Sequence, residues 1–268
     1  MLTALTSIAS QVDRKARGAY FTPAPIAEFL ARWAVEGRPS ASVLDPTCGE
    51  GIFLQTAARA LREIGGSGAS LDHQLYGIDV HRPSLRSLVK LLAPEGLEPQ
   101  LLEADFVEVP SPGDLFSTIP KVDAVIGNPP FVRYQQHSGD ARRRSLEAAL
   151  RSGVRLSGLA SSWAAMLVHS ASFLKPDGRL AMVIPAELLT VGYAEPVRQW
   201  LRRRFGGVKL ILFERLQFAN ALENVVLVLA HGTGGCDAFS VYYVQDANDL
   251  YGIKPFDELA MRLAEEGK

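Results

Sequence analysis

Ser42-Val-Leu-Asp45-Pro-Thr-Cys-Gly49-Glu-Gly51-Ile-Phe-Leu54 joins a strand pattern to a helix pattern through a glycine turn. A short β-rich segment, Ser42–Asp45, ends in an aspartate, passes through a glycine-containing turn and leads into apolar residues at helical spacing from Ile52 to Ile64. A strand feeding a helix in this way is the unit of a parallel α/β sheet. The unit recurs. Leu75–Asp79 is a second strand, and Pro83 opens a helix to Leu92, at a position where proline's missing N–H has little consequence. Gln100–Ala104 is a third strand and Val122–Ile126 a fourth, which must stop at Gly127-Asn128-Pro129-Pro130 because proline cannot donate into a ladder.

Further along, Val132–Gly158 is polar and basic and carries Arg142-Arg143-Arg144; so long an insertion at the carboxyl end of a strand is more often functional than idle. A helix from Ser161 to Leu174 ends at Lys175-Pro-Asp-Gly178, and Lys175 is expected as a capping charge there. Arg179–Ile184 is a fifth strand and Ala194–Arg204 a helix. The connection between Val208–Phe213 and Val225–Ala230 is too short for a crossover helix, which predicts an antiparallel hairpin at that edge. Gly232–Gly235 forms a joint, and the tail from Phe239 has the pattern of an edge strand and a short helix.

With 268 residues, the chain fits one large domain or one domain with a small appendage, at roughly 150 residues per domain. Its 47% hydrophobic and 21% charged residues exclude a disordered chain. A net charge of -1 gives no global drive toward nucleic acid, so any such binding must come from local basic patches. Cys48 and Cys236 cannot make a disulfide framework and fit a reducing compartment. No apolar run reaches the 18 or so residues of a membrane span, and the start lacks a signal layout, so a soluble cytoplasmic protein is expected. His73, His81, His137, His169 and His231 show no paired ligand spacing, and no metal site is expected.

The strand ends carry the chemistry. Glycines in the turn Asp45–Gly51 let a ligand approach the backbone while the following helix N-terminus offers N–H groups to an anion; tight helix–sheet packing explains the same glycines. Asp79 ends the second strand where a ribose would lie, and a helix N-cap is its alternative reading. Asp105 and Phe106 follow the third strand, a carboxylate for an adenine amine beside a ring for its face. One nucleoside-bearing ligand accounts for all three, and the fuller Gly-x-Gly-x-x-Gly of a dinucleotide site is absent. At the fourth strand, the Asn128 amide oxygen and the Pro129 carbonyl make two acceptors beside the flat ring of Phe131. That set suits a planar exocyclic amine.

Asp45-Pro-Thr-Cys-Gly-Glu-Gly-Ile-Phe-Leu54 with Asn128-Pro-Pro-Phe-Val-Arg-Tyr134 resembles the S-adenosylmethionine-dependent DNA adenine N6-methyltransferases of bacterial restriction-modification and phage-defence systems, in the gamma arrangement. Gly18-Ala-Tyr-Phe-Thr22-Pro23 is similar to the upstream cofactor motif of that arrangement, Leu174–Pro185 to its fifth-strand region, and Gln217–Val226 to a late motif whose aromatic residue stacks on the target base. The resemblance implies a Rossmann-like class I methyltransferase fold, a seven-stranded, mostly parallel sheet with an antiparallel edge hairpin and helices on both faces. It implies S-adenosylmethionine bound by Tyr20, Phe21, Thr22, Pro23, Asp45, Pro46, Thr47, Cys48, Gly49, Gly51, Phe53, Asp79, Asp105, Phe106 and Asn128. Asn128, Pro129, Pro130 and Phe131 would then be the catalytic loop. Phe218, Arg133 and Arg142 to Arg144 would contact double-stranded DNA and its flipped adenine. Cys48 is expected as a packed residue and not a nucleophile.

The catalytic domain would span 1–231, with 1–40 a cofactor-motif segment and 132–160 a DNA-proximal insertion. The extension 232–268 is too short for a full target-recognition domain, so either a separate specificity subunit reads the sequence or the chain is a fragment of a longer enzyme, in a bacterial or archaeal cell. Donor binding and DNA docking with turnover only beside such a partner is the alternative to a free-standing enzyme. Methylation of RNA or of a protein glutamine is a further one. The sequence departs from the family pattern at Thr47 and Glu50, where small residues are usual; Glu50, if turned inward, would oppose the donor's carboxylate.

Overall fold

A strand covered on both faces must be apolar on both, and the first strand, β1 (Val43–Asp45), is buried at all three positions. The computed structural model describes residues 22–66, 71–132, 135, 138–214 and 224–251. Flanking β1 in parallel are β2 (Leu75–Asp79) and β4 (Val122–Gly127). Beyond β2 lies β3 (Gln100–Glu103), and beyond β4 lies β5 (Leu174–Pro185), both parallel. The predicted hairpin is present: β6 (Gly207–Phe213) and β7 (Val225–His231) are antiparallel, and β7 inserts between β5 and β6. The tail adds an eighth strand, β8 (Ser240–Val244), parallel to β6, so the sheet has one strand more than the seven of the sequence expectation. Its order is β3-β2-β1-β4-β5-β7-β6-β8.

Two apolar layers sandwich this sheet. One is formed by α1 (Ala24–Val35), α2 (Ile52–Glu63) and α3 (Arg82–Leu92). The other is formed chiefly by α5 (Ser162–Ser170) and α7 (Glu195–Arg204), with Ala149 from α4 (Gly139–Arg151) and Leu188 from the short α6 (Glu187–Thr190). Trp163 and Phe173 are buried in the second layer, as expected of core residues.

Lys175–Gly178 does not act as the helix stop that its composition suggests. The helix ends earlier, at Ser170, and Ala171–Phe173 form a 3-10 turn in which the Ser172 hydroxyl donates to the His169 carbonyl at 2.7 Å. Lys175 to Gly178 then bulge out of β5, since its register against β4 jumps from Val122↔Leu174 to Ala124↔Arg179. Lys175 meets Asp123 at 2.8 Å instead of capping a helix. Strand order runs outward in both directions from β1 and β4, so the crevice at their carboxyl ends is the topological switch point of the sheet.

Candidate functional site

A cavity of about 380 Å³ opens at that switch point, walled by the turn after β1, the ends of β2, β3 and β4, and Thr22 just before α1. The turn is knitted to β2: the Cys48 N–H donates to the Ile78 carbonyl at 2.8 Å and the Gly49 N–H to Asp79 Oδ2 at 2.9 Å. The two readings of its glycines divide between them. Gly49 has φ +50° and open space where a side chain would stand, whereas at Gly51, φ +91°, a Cβ would sit 1.9 Å from Leu88 Cδ1 of α3. Gly49 therefore opens to the cavity, and Gly51, although it lines the cavity too, is required by helix packing.

Asp79 also accepts the His81 N–H on Oδ1 at 2.7 Å. The N-cap of α3 is His81, so Asp79 is not a helix cap; it ties the end of β2 to the glycine turn on the cavity wall. Asp105 caps the 3-10 turn Phe106–Glu108 through the Val107 N–H at 3.3 Å. Phe106 walls the cavity but is only 2% exposed, and its ring packs on His169 and Phe173 at 4.8 and 5.3 Å between centroids. The exposed apolar surface is supplied by Val80 and Leu91, which sequence reasoning passed over. Their signal was two large aliphatic residues at solvent-facing positions beside Asp79 and on α3.

Beneath the turn, Asp45 is fully buried. Oδ1 accepts the Thr47 N–H at 3.1 Å and Oδ2 has no partner among the described residues. Burial pushes its carboxyl up to about 8, against the Thr47 bond and helped by the charge of Asp79. Burial likewise pushes the Cys48 thiol well above its ordinary value, reinforced by Asp45 and Asp79, which makes Cys48 a packed residue and not a thiolate nucleophile. Pro46 and Phe53 are buried cavity-wall residues, and Glu50 is exposed at the rim.

On the other wall, the Asn128 amide is held by its nitrogen: Nδ2 donates to Thr22 Oγ1 at 3.2 Å, which leaves Oδ1 buried and without a partner among the described residues. Thr47 Oγ1 lies 3.4 Å from the Asn128 carbonyl. Pro129 is buried, and its carbonyl accepts no hydrogen bond among the described residues. The Pro130 carbonyl instead turns to Ser162, whose hydroxyl donates to it at 2.5 Å. Phe131 is half-buried and packs on both apolar layers. Pro23 is the N-cap of α1.

Of the arginines, Arg143 pairs with Asp140 and Glu147 on its own helix, at 3.5 and 3.0 Å. Arg144 turns toward Glu108 at 3.1 Å and Asp105 at 3.8 Å. Arg142 lies by a shallower depression with Leu146, Leu150 and Arg155. Tyr20, Phe21, Arg133 and Phe218 lie outside the described residues. Among the described residues no cluster of metal-ligating side chains occurs, and no helix is long and apolar enough to cross a membrane.

A doubly wound sheet with an antiparallel β7 and a cleft at the β1/β4 switch point defines a class I methyltransferase fold. Residues 4–205 match the model of the N-6 DNA Methylase family, and the chain belongs to that family. It is 23% identical over 243 residues to the type II methyltransferase M.AccI of Acinetobacter calcoaceticus, covering 90% of this chain and 41% of that one. It is 27% identical over 175 residues to a ribosomal RNA small subunit methyltransferase C of Alcanivorax borkumensis, covering 65% and 39%. A modification subunit of a putative type I restriction enzyme from Vibrio vulnificus superposes with a TM-score of 0.67 at 21% identity, covering 91% of this chain and 51% of that one. The chain thus spans about two fifths of the length of the curated relatives it matches.

Proposed function

We propose that this chain is the catalytic component of a DNA adenine N6-methyltransferase that uses S-adenosylmethionine and acts beside a separate target-recognition partner, in a restriction-modification or phage-defence system. The observation that carries the reading is the buried, unpartnered Oδ1 of Asn128, oriented by Thr22 and placed on the same cavity as Gly49, Asp79 and Asp105. A buried acceptor without a donor is costly and calls for a ligand that brings one.

The donor side suits an adenosyl group carrying an amino-acid tail. Asp79 keeps lone pairs for ribose hydroxyls, Asp105 for the base amine, and Val80 with Leu91 gives an apolar cover. The N–H groups at the start of α2 face the tail's carboxylate. When bound, S-adenosylmethionine supplies an electrophilic methyl group on a sulfonium.

On the acceptor side, Asn128 Oδ1 takes one hydrogen of the adenine amine and the Pro129 carbonyl the other. Both hold the nitrogen pyramidal, so that its lone pair points at the methyl. The two oxygens would offset the positive charge that develops on nitrogen as it takes up the methyl, the proton it loses would pass to solvent, and no side chain would serve as a nucleophile. Phe131 and Phe218 would flank the flipped base, each stack offsetting about 1–3 kcal/mol of unstacking. Partner dependence is favoured by the fold shared with a modification subunit of a putative type I restriction enzyme.

Methyl incorporation into duplex DNA, measured with the isolated chain and with its genomic neighbours, tests this. Asn128→Ala is expected to abolish transfer while donor affinity measured by calorimetry stays within about threefold. Absence of donor binding by the native chain, or transfer only to RNA or protein, would overturn the proposal. Activity of the chain alone would remove the partner from it.

A further inference from the structure

We propose that Ser162 is a positioning residue that splints the acceptor loop across Phe131, an inference that rests on the methyl-transfer reading for its functional consequence but not for its geometry. Ser162 is the first residue of α5, remote in sequence from the loop, and is 5% exposed. Its hydroxyl donates to the Pro130 carbonyl at 2.5 Å and accepts the Val132 N–H at 2.9 Å. Its own N–H donates to the Val132 carbonyl at 3.0 Å. Three hydrogen bonds from one residue thus fix the peptide groups on both sides of Phe131.

The splint is itself anchored. Trp163, next along α5, donates its indole N–H to the Tyr193 hydroxyl at 3.2 Å, and that hydroxyl lies 2.6 Å from Glu187 Oε2 just past the end of β5. The loop is therefore referred to the carboxyl end of β5, while Thr22 holds the Asn128 side chain from the α1 side. A side-chain acceptor positioned from one side and a backbone positioned from the other define where the Pro129 carbonyl and the Phe131 ring stand. Such placement decides rate, because misplacement of about 1 Å costs on the order of 100-fold.

Ser162→Ala and Ser162→Thr, made in the full chain, test this by two readouts. Amide exchange followed by mass spectrometry is expected to rise at least tenfold over residues 128–132 in Ser162→Ala, with residues 45–51 and donor affinity unchanged. Methyl transfer to unmethylated bacterial chromosomal DNA, with genomic neighbours supplied if needed, is expected to lose 10–100-fold in kcat at constant donor KM. Ser162→Thr, which keeps the hydroxyl, is expected to recover most of both. Unchanged exchange over 128–132, or equal loosening of 45–51, overturns the splint. Native transfer that persists at full rate in Ser162→Ala overturns its role in positioning. A native chain that binds the donor and transfers nothing to DNA defeats the functional reading instead, and the exchange data still judge the splint.

Discussion

Asp45 is held by structure in a state that water would not choose. Its folded carboxyl is pushed up to about 8 by burial, far above an unfolded aspartate. A raised carboxyl binds its proton more tightly folded than unfolded, so its contribution to stability is complete below the unfolded value near 4 and is lost as pH rises toward 8. His169, lowered to about 4 by burial, shifts stability only below its unfolded value of 6.5, and the lowered carboxyl of Asp123 acts at still lower pH. Between pH 6.5 and 8.5, Asp45 therefore dominates among these groups. Over 1.5 pH units the linkage amounts to about 2 kcal/mol, or roughly 5 °C in melting temperature for a domain of this size. Thermal unfolding of the native chain is expected to fall by about that much from pH 6.5 to 8.5. Asp45→Asn, which keeps an oxygen for the Thr47 N–H and carries no charge, is expected to be flat across that window; an equal slope in both proteins would show that Asp45 does not titrate there.

At the scale of elements, the start of α2 is fixed by two glycines with different duties. Alanine at Gly49 meets no atom within 4 Å, so its penalty is that of a positive φ, about 1–2 kcal/mol. Alanine at Gly51 adds a collision with Leu88, and overpacking typically adds about 1–3 kcal/mol. Urea unfolding is expected to rank Gly51→Ala below Gly49→Ala by that margin. Adding Leu88→Ala to Gly51→Ala is expected to be strongly non-additive, because the second change removes the collision. Sequence pattern located this turn but not the division of labour within it, since only the packed position of Leu88 distinguishes the glycines. Strand β2 was legible to the residue because its apolar run is bounded by polar residues, and the hairpin of β6 and β7 because its connection is short. Less legible was β5: Lys175-Pro-Asp-Gly178 has the composition of a stop, and the pairing of Leu174 with Val122 carries the strand past it. The roles of Thr22 toward Asn128 and of Ser162 toward Pro130 depend on contacts across 106 and 32 residues, which no local spacing encodes.

For the whole molecule, the charge balance bears on how DNA would be engaged. The chain carries 28 basic and 29 acidic residues, and Arg143 and Arg144 of the insertion are in ion pairs with neighbouring carboxylates. A surface of this kind neutralises few phosphates. Since log affinity falls with log salt at about 0.9 per phosphate neutralised, the isolated chain is expected to bind duplex DNA with a slope no steeper than about -3, against the six to ten contacts of a strong DNA binder. Fluorescence anisotropy of a labelled duplex across a fourfold range of salt, from about 50 to about 200 mM, measures it. Arg142→Ala is expected to reduce the slope by about 1 and to weaken binding evenly across sequences, the mark of a phosphate contact that carries no base readout. A target-recognition partner would then have to bring both the remaining phosphate contacts and the sequence selectivity, and adding it should steepen the slope. A slope near -6 from the chain alone would mean that its other basic residues already supply those contacts, and the partner would be left with selectivity only.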